Sequence, residues 1–337
     1  MQSQDSREGK VPTLTVAMAV YNAERYMPSA IDNILSQTFQ DFELILIDDG
    51  STDCSREIAS RYEQKNGRVR CIFKERNEGL SSVRNISIAQ AKGRYLMMID
   101  ADDLMEPSTL ELAVREAENS NADVVIWDYD SFCGDLPTHS DGKSRLKDID
   151  VSKRKTLLTL PAFMPVRLIR TEYARNARLE FPLGLTKQDI PVHWKMVTDE
   201  NARIALIPQK LFHYRQHAAT ISNRKGKSLF SLAKVMDIVG EILRKDGLYD
   251  IYRKEYLRSR LTLLHGMYDF IKPELKEEAM TMIRERFDDD AGDFFNEDAN
   301  CLSNRSRLFY KMLQGSIYAR IRYDLFLGIR AIYRKLK

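Results

Sequence analysis

An α/β architecture, a mainly parallel sheet between helices, is written into the first 130 residues by three observations. Short apolar runs alternate with stretches of helical period. Several runs, "TLTVAMAV", "FELILI" and "RYLMMI", are apolar on both sides, as strands covered on both faces must be. The last two run into carboxylates, "IDDGSTD" and "IDADD", and in such sheets the carboxyl ends of strands are where ligands bind.

The elements follow in order. Residues 13–20 read as a strand, and "SAIDNILSQT" (29–38) as a helix with Ile31, Ile34 and Leu35 on one face. "FELILIDD" is a second strand, stopped by the turn chemistry of "DGSTD". A helix is predicted over 55–64, a strand over "VRCIF", and a helix over "LSSVRNISIAQAKG" closed by Gly93. The strand "RYLMMI" leads into Asp100, Asp102 and Asp103, followed by a helix over 107–120 and the strand "DVVIWDY". Residues 135–150 are polar with Gly134, Pro137 and Gly142 nearby and read as a loop or lid. Mixed structure resumes over 156–221, and the pattern then turns helical. The expected organisation is a flexible N-terminus (1–12), a catalytic domain (13–222) and a helical C-terminal region with a basic amphipathic tail (223–337).

Composition bounds the rest. The 337 residues, 43% hydrophobic, suffice for one large domain with an appendage, or for two. The formal charge of +3, left by 52 basic and 49 acidic residues, argues neither for nor against an anionic partner. Cys54, Cys71, Cys133 and Cys301 are scattered, without a CxxC pair or a histidine at ligand spacing. That argues against a zinc site or disulfide framework and fits a reducing cytosol. The polar "MQSQDSREGKVP" lacks a signal-peptide core, and no apolar run approaches the roughly 20 residues of a spanning helix. A cytoplasmic protein, or one peripheral at the inner face of the membrane, is expected.

Three crowded carboxylates at the end of a buried strand need a physical reason, since like charges and desolvation penalise each. Helix capping accounts for one. A divalent cation, Mg²⁺ or Mn²⁺, takes oxygen ligands from one or two carboxylates plus substrate phosphates and water. Asp100 and Asp102 alternate around Ala101 and would share a face of an extended backbone, with Asp103 a second contact or a helix cap. An isolated DxD is more often a solvated acidic turn. No GxGxxG follows the first strand and no GxxxxGK[ST] occurs, so the usual dinucleotide and P-loop signatures are missing.

The joint motifs decide against isolation. "VAMAVYNAERYMPSAIDNILSQTFQDFELILIDDGSTDCS", followed by "NEGLSSVRNISIAQAKGRYLMMIDADD", closely resembles glycosyltransferase family 2, the inverting sugar-nucleotide transferases of GT-A fold. The resemblance covers about the first two thirds of the chain. It implies a nucleotide-sugar donor, most often UDP-linked, a divalent metal, and a glycan or lipid-linked saccharide acceptor. It places Ala19, Tyr21, Asp48 and Asp49 at the nucleotide, with Asp49 accepting from the base and Asp48 either a ligand or a turn-stabilising carboxylate. It puts Gly79 and Arg84 near the donor diphosphate, Arg being suited to bidentate phosphate contacts. Val83 and Ser87 stand where Ala and Gly are usual. Asp100 and Ala101 fall to the donor, and Asp102 with Asp100 to the metal.

Inverting transfer needs a base to take the acceptor hydroxyl's proton. The family's acidic residue ahead of a helix corresponds to Asp189 in "GLTKQDIPVHWKMV", with Gln188 where Glu is common. "FHYRQHAATIS" resembles a late YRxHxxS-like segment and offers Arg215 to the diphosphate and His217 to the diphosphate or the metal. His193 and His213 are expected to be structural.

The tail from 304 to 337 carries Arg307, Lys311, Arg320, Arg322, Arg330, Arg334, Lys335 and Lys337 against the single acid Asp324. An apolar stripe runs through Phe309, Leu313, Ile317, Ile321, Leu325, Ile329, Ile332 and Leu336. Two readings stand: helices docked on the protein, or a helix on an anionic membrane surface. Nucleic-acid binding lacks a recognisable module. Alternatives for the whole chain are a catalytically silent subunit that binds a nucleotide sugar or a partner transferase and a sugar-phosphate nucleotidyltransferase, against which "AVYNAERY" counts because it is not a glycine-rich first loop.

Overall fold

The computed structural model describes residues 11–135, 137, 143–217, 225–287, 302–316, 319–320 and 322–323. They fall into two compact units, Met1–Gly184 with Gln188–Thr220 and Leu185–Lys187 with Ile221–Lys337.

The first unit runs β1 (Leu14–Val20), α1 (Met27–Leu35), β2 (Phe42–Asp48), α2 (Ser55–Lys65), β3 (Val69–Phe73), α3 (Leu80–Gln90), β4 (Tyr95–Asp100), β5 (Leu104–Met105), α4 (Thr109–Asn119), β6 (Val124–Phe132), α5 (Arg154–Leu157), β7 (Arg167–Arg170), α6 (Thr171–Asn176), α7 (Asp189–Thr198) and β8 (Ile204–Arg215). Its sheet has the order β3-β2-β1-β4-β7-β6-β8-β5. The neighbours β3, β2, β1 and β4 are parallel, as are β6 and β8, while β7 and β5 run against their neighbours.

The doubly apolar strands are explained by what covers them. On β2, Leu44 and Leu46 pack with Ile31 and Ile34 of α1 and Ile58 of α2, whereas Ile45 and Ile47 turn to Val83 of α3 on the other face. An alternating strand would strand polar groups on one of those faces.

Four local expectations need correction. The helix predicted over 29–38 begins at Met27, with Pro28 in its first turn, and stops at Leu35. Gly93 does not close α3, which ends at Gln90 with Ala91 at its C-cap. Gly93 is needed for close approach instead, because a Cβ there would lie 2.4 Å from the Thr15 amide nitrogen and 2.5 Å from the Leu14 carbonyl carbon. β5 went unforeseen, since two residues carry no periodic signal. Finally, β4 stops at Asp100 and the chain turns, so Asp100 and Asp102 do not share the face of an extended strand.

Gly93→Ala pushes a methyl into backbone of a central strand that has nowhere to move. The expected cost is about 1–3 kcal/mol or more, read as a lower urea midpoint for the β1 amides in hydrogen exchange. An unchanged midpoint would mean that the strands can part.

Of the expected lid, residues 136 and 138–142 lie outside the described residues. The part that follows is fixed to β6: the buried Asp128 carboxylate accepts from Ser144 Oγ at 3.1 Å and from the Arg145 amide at 2.6 Å and Nε at 2.9 Å.

The second unit contains α8 (Ser231–Lys245), α9 (Tyr249–Phe270), α10 (Lys276–Arg284) and α11 (Asn304–Leu313). His265 of α9 is its polar centre: Nε2 meets the Tyr323 hydroxyl at 2.7 Å, Nδ1 meets Ser306 Oγ at 3.3 Å, and the ring stacks on Phe309 at 4.6 Å. Burial and the nearby Arg305 charge push His265 down to about 4, so it is neutral near pH 7. The described start of the tail stripe is thereby covered by protein, with Phe309 and Leu313 buried. Arg320 pairs with Glu277 at 2.8 Å. Ile317, Ile321, Leu325, Ile329, Ile332 and Leu336 lie outside the described residues. Among those described, no helix is long and apolar enough to cross a membrane.

Candidate active site

The carboxyl ends of β1, β2, β3 and β4 make one rim. Register places Ala19 between Ile47 and Asp100, and Val20 opposite Asp48. The loops after β1 and β2 are laced together. Asn22, in the left-handed region at φ 48°, accepts from the Thr52 amide at 2.8 Å, and Ser55 Oγ accepts from the Ala23 amide at 2.9 Å. Gly50 is obligatory, because its φ is +73° and a Cβ would lie 2.6 Å from the Arg76 carbonyl carbon. Tyr21, at the tip, is 50% exposed.

Both aspartates of "IDDGS" are buried. Asp48 Oδ2 accepts from Arg56 Nε at 2.8 Å and the Ser51 amide at 3.1 Å, and its buried Oδ1 has no hydrogen-bond partner. Asp49 Oδ1 takes Lys74 Nζ and the Glu78 amide (3.0 Å), and Oδ2 takes the Gly79 amide at 2.7 Å. The Asp49 carboxylate thereby organises the entry to α3. Gly79 caps that helix at φ 90°, a conformation glycine adopts readily.

In the acidic turn the three carboxylates have different surroundings. Asp103 is buried and is not a helix cap, since Ser108 holds that position in α4. Its Oδ1 accepts from the Arg215 amide at 2.8 Å, while its buried Oδ2 has no hydrogen-bond partner. Burial, then the charges of Asp102 and Asp100, raise its carboxyl well above the usual range. Asp100 is raised for the same first reason, opposed by Arg84, and its Oδ1 also lacks a hydrogen-bond partner. Asp102 keeps a partly exposed carboxylate whose Oδ2 lies 2.9 Å from Nε2 of the equally exposed His217.

Arg215 departs from expectation. Only 1% exposed, it lies between the rings of Tyr26 (4.6 Å) and Phe132 (4.5 Å) and donates to the Asp102 carbonyl at 2.6 Å and to the Gly134 carbonyl. Its guanidinium braces the acidic turn through the Asp102 carbonyl.

Asp189 opens α7, and its carboxylate is held from both sides. Oδ1 pairs with Arg84 Nη1, and Oδ2 accepts from the Met164 amide at 3.1 Å. Arg84, only 3% exposed, is no surface salt bridge: its Nη2 also lies 3.6 Å from Asp100 Oδ1, so one guanidinium spans the acidic turn and α7. Burial lowers its pKa, and the Asp100 charge opposes that shift. His213, 2.9 Å from Glu106, and His193, 3.1 Å from Arg167, are both bound internally, as structural histidines are.

The family model for glycosyl transferase family 2 matches residues 15–175. "Putative glycosyltransferase EpsH" of Bacillus subtilis (strain 168) is 30% identical over 254 residues, covering 73% of this chain and 73% of EpsH. The chain belongs to glycosyltransferase family 2. The family 2 fold is matched by TarS 1–349 of S. aureus, at a TM-score of 0.65 and 20% identity, covering 96% of this chain and 92% of that one. TarS is also known in complex with UDP-GlcNAc, an alignment with a TM-score of 0.56 and 17% identity that covers 85% and 92% of the chains. The mannosyltransferase PcManGT of Pyrobaculum calidifontis, in complex with GDP-Man and Mn²⁺, aligns at a TM-score of 0.53 and 14% identity, covering 94% and 88%. The sheet and its flanking helices are those of a GT-A glycosyltransferase.

For a family 2 enzyme the donor set at the acidic turn suits a hard cation bound jointly with phosphate. It offers buried carboxylate oxygens without a hydrogen-bond partner on Asp100, where Arg84 lies 3.6 Å away, and on Asp103, and a partly exposed Asp102–His217 pair. Among the described residues, however, no group of three or more His, Cys, Asp or Glu side chains is placed to hold a metal by itself. Sequence reasoning missed Asn22, Lys74 and Met164. Asn22 had a legible signal in its tolerance of left-handed backbone. Met164 had none, because it acts through its main-chain N–H.

Proposed function

We propose that this glycosyltransferase moves a sugar, with inversion, from a UDP-linked donor to a hydroxyl of a glycan or lipid-linked saccharide, with Asp189 as the base. The observation that carries the reading is the Asp189 carboxylate clasped between Arg84 and the Met164 amide, with Arg84 extending to Asp100. One buried cation then serves both ends of the reaction. It fixes the carboxylate that receives the acceptor proton, and it sets positive charge beside the turn where the donor diphosphate would gain negative charge.

Asp102, Asp100 and His217 would hold a divalent cation together with the diphosphate. Such a cation neutralises the charge developing on the leaving group. Tyr21 supplies an exposed ring at the nucleotide end, and Gly79 lets the main chain approach. The acceptor enters opposite the leaving nucleotide, and its hydroxyl proton passes to Asp189.

Incubation with UDP-Glc, UDP-Gal, UDP-GlcNAc, UDP-GalNAc and GDP-Man, each with Mn²⁺ or with EDTA, tests the reading. Metal-dependent hydrolysis or transfer of a UDP-sugar is expected, with anomeric configuration inverted by NMR. Asp102→Ala is expected to abolish Mn²⁺-dependent UDP binding in calorimetry. Turnover indifferent to EDTA would remove the metal from the scheme, and a retained anomer would remove Asp189 as base.

A further inference from the structure

Arg167 opens β7 and is only 1% exposed, yet no acidic side chain pairs with it among the described residues. Its Nη1 donates to the Phe163 carbonyl, and its Nη2 donates to the Pro161 carbonyl at 2.7 Å and reaches His193 Nδ1 at 3.1 Å. Burying a guanidinium without a carboxylate is costly, and an apolar side chain would satisfy packing alone more cheaply. The neighbouring like charge of Arg84 adds to that cost. Such a residue calls for a reason beyond packing.

Its partners supply one. Pro161 and Phe163 belong to the turn whose next residue, Met164, donates its amide to Asp189 Oδ2 at 3.1 Å. His193 stands four residues after Asp189 on α7, hence on the same helix face. Burial and the Arg167 charge push His193 well below the usual imidazole range, and since a guanidinium can only donate, the 3.1 Å contact makes Nδ1 the acceptor. One guanidinium thus ties the turn that donates to Asp189 to the helix that carries it.

We propose that Arg167 is a positioning residue for the transfer reaction, clamping the 161–164 turn to α7 so that the Asp189 carboxylate is held in register with the Met164 amide. The proposal rests on the reading of Asp189 as the base. It assigns Arg167 no contact with substrate. Its effect belongs in kcat and leaves donor binding alone.

The test uses the full chain, the best donor from the nucleotide-sugar panel, and hydrogen exchange at the Met164 amide. Arg167→Met is expected to lower kcat by about tenfold or more while donor KM stays within about twofold, and to speed Met164 exchange without lowering the melting temperature. His193→Leu is expected to do the same more weakly, with His193→Gln, which keeps an acceptor, restoring most of the rate. Unchanged kcat or unchanged Met164 exchange in Arg167→Met overturns the proposal, and so does a parallel loss of kcat, donor affinity and melting temperature. Should Arg167→Met not fold, the His193 pair decides by the same readouts. Asp189→Asn separates the two claims: full turnover there defeats the base, while Met164 exchange still reports on the clamp.

Discussion

Asp189→Asn is expected to lower sugar transfer by about two to four orders of magnitude, the usual contribution of a positioned general base. Asparagine keeps an acceptor for Arg84 or for the Met164 amide but cannot take the acceptor's proton. Nucleotide binding, measured by calorimetry with UDP and Mn²⁺, is expected to persist, because among the described residues Asp189 is linked to the acidic turn through Arg84. Stability is expected to fall by about 1–3 kcal/mol, the range for weakening hydrogen bonds to charged groups. Wild-type turnover by folded Asp189→Asn would move the base elsewhere.

Arg84→Met should be damaging in a different way. Among the described residues it leaves Asp189 buried with the Met164 amide alone, and it removes the one cation paired with Asp100. Breaking a buried pair by deleting one partner costs about 3–5 kcal/mol, so urea denaturation should show a marked loss as well as absent transfer. Adding Asp189→Leu to Arg84→Met should recover part of the stability and none of the activity, because the stranded charge is gone. A double variant no more stable than Arg84→Met would mean that the pair is not what the loss measures. Arg84→Lys keeps charge but loses the fork that spans Asp100 and Asp189.

The strands from "TLTVAMAV" to "RYLMMI" were readable because burial on both faces leaves an uninterrupted apolar run. The motif residues were readable as a set. Their geometry was less so. Whether Asp48 and Asp49 face a ligand or the interior depends on hydrogen bonds to Lys74, Arg56 and the amides of residues 78 and 79, which no spacing announces. The sequence offered Arg215 to the diphosphate but could not announce its packing against the acidic turn, since a sandwich between Tyr26 and Phe132 joins three distant segments. The Arg84–Asp189 pair joins residues 105 positions apart. Gly93 looked like a helix stop because glycine serves helix ends and close approach alike, and only the packed neighbour tells them apart.

The far edge of the same sheet carries its own polar network. Thr15 Oγ1 donates to Glu43 at 2.7 Å and accepts from the Gly93 amide at 2.8 Å, while Thr171 Oγ1 donates to the Gly93 carbonyl at 2.6 Å. These contacts fasten the beginnings of β1, β2 and β4 and the end of β7, a strand's length from the acidic turn. The sheet is therefore fastened at both ends, by the Thr15–Gly93–Thr171 network at one and by the Arg84–Asp189 pair at the other. Stability that rests on two separated networks is divisible: substitutions at Thr15, Gly93 or Thr171 weaken the sheet without touching the carboxylates of the acidic turn.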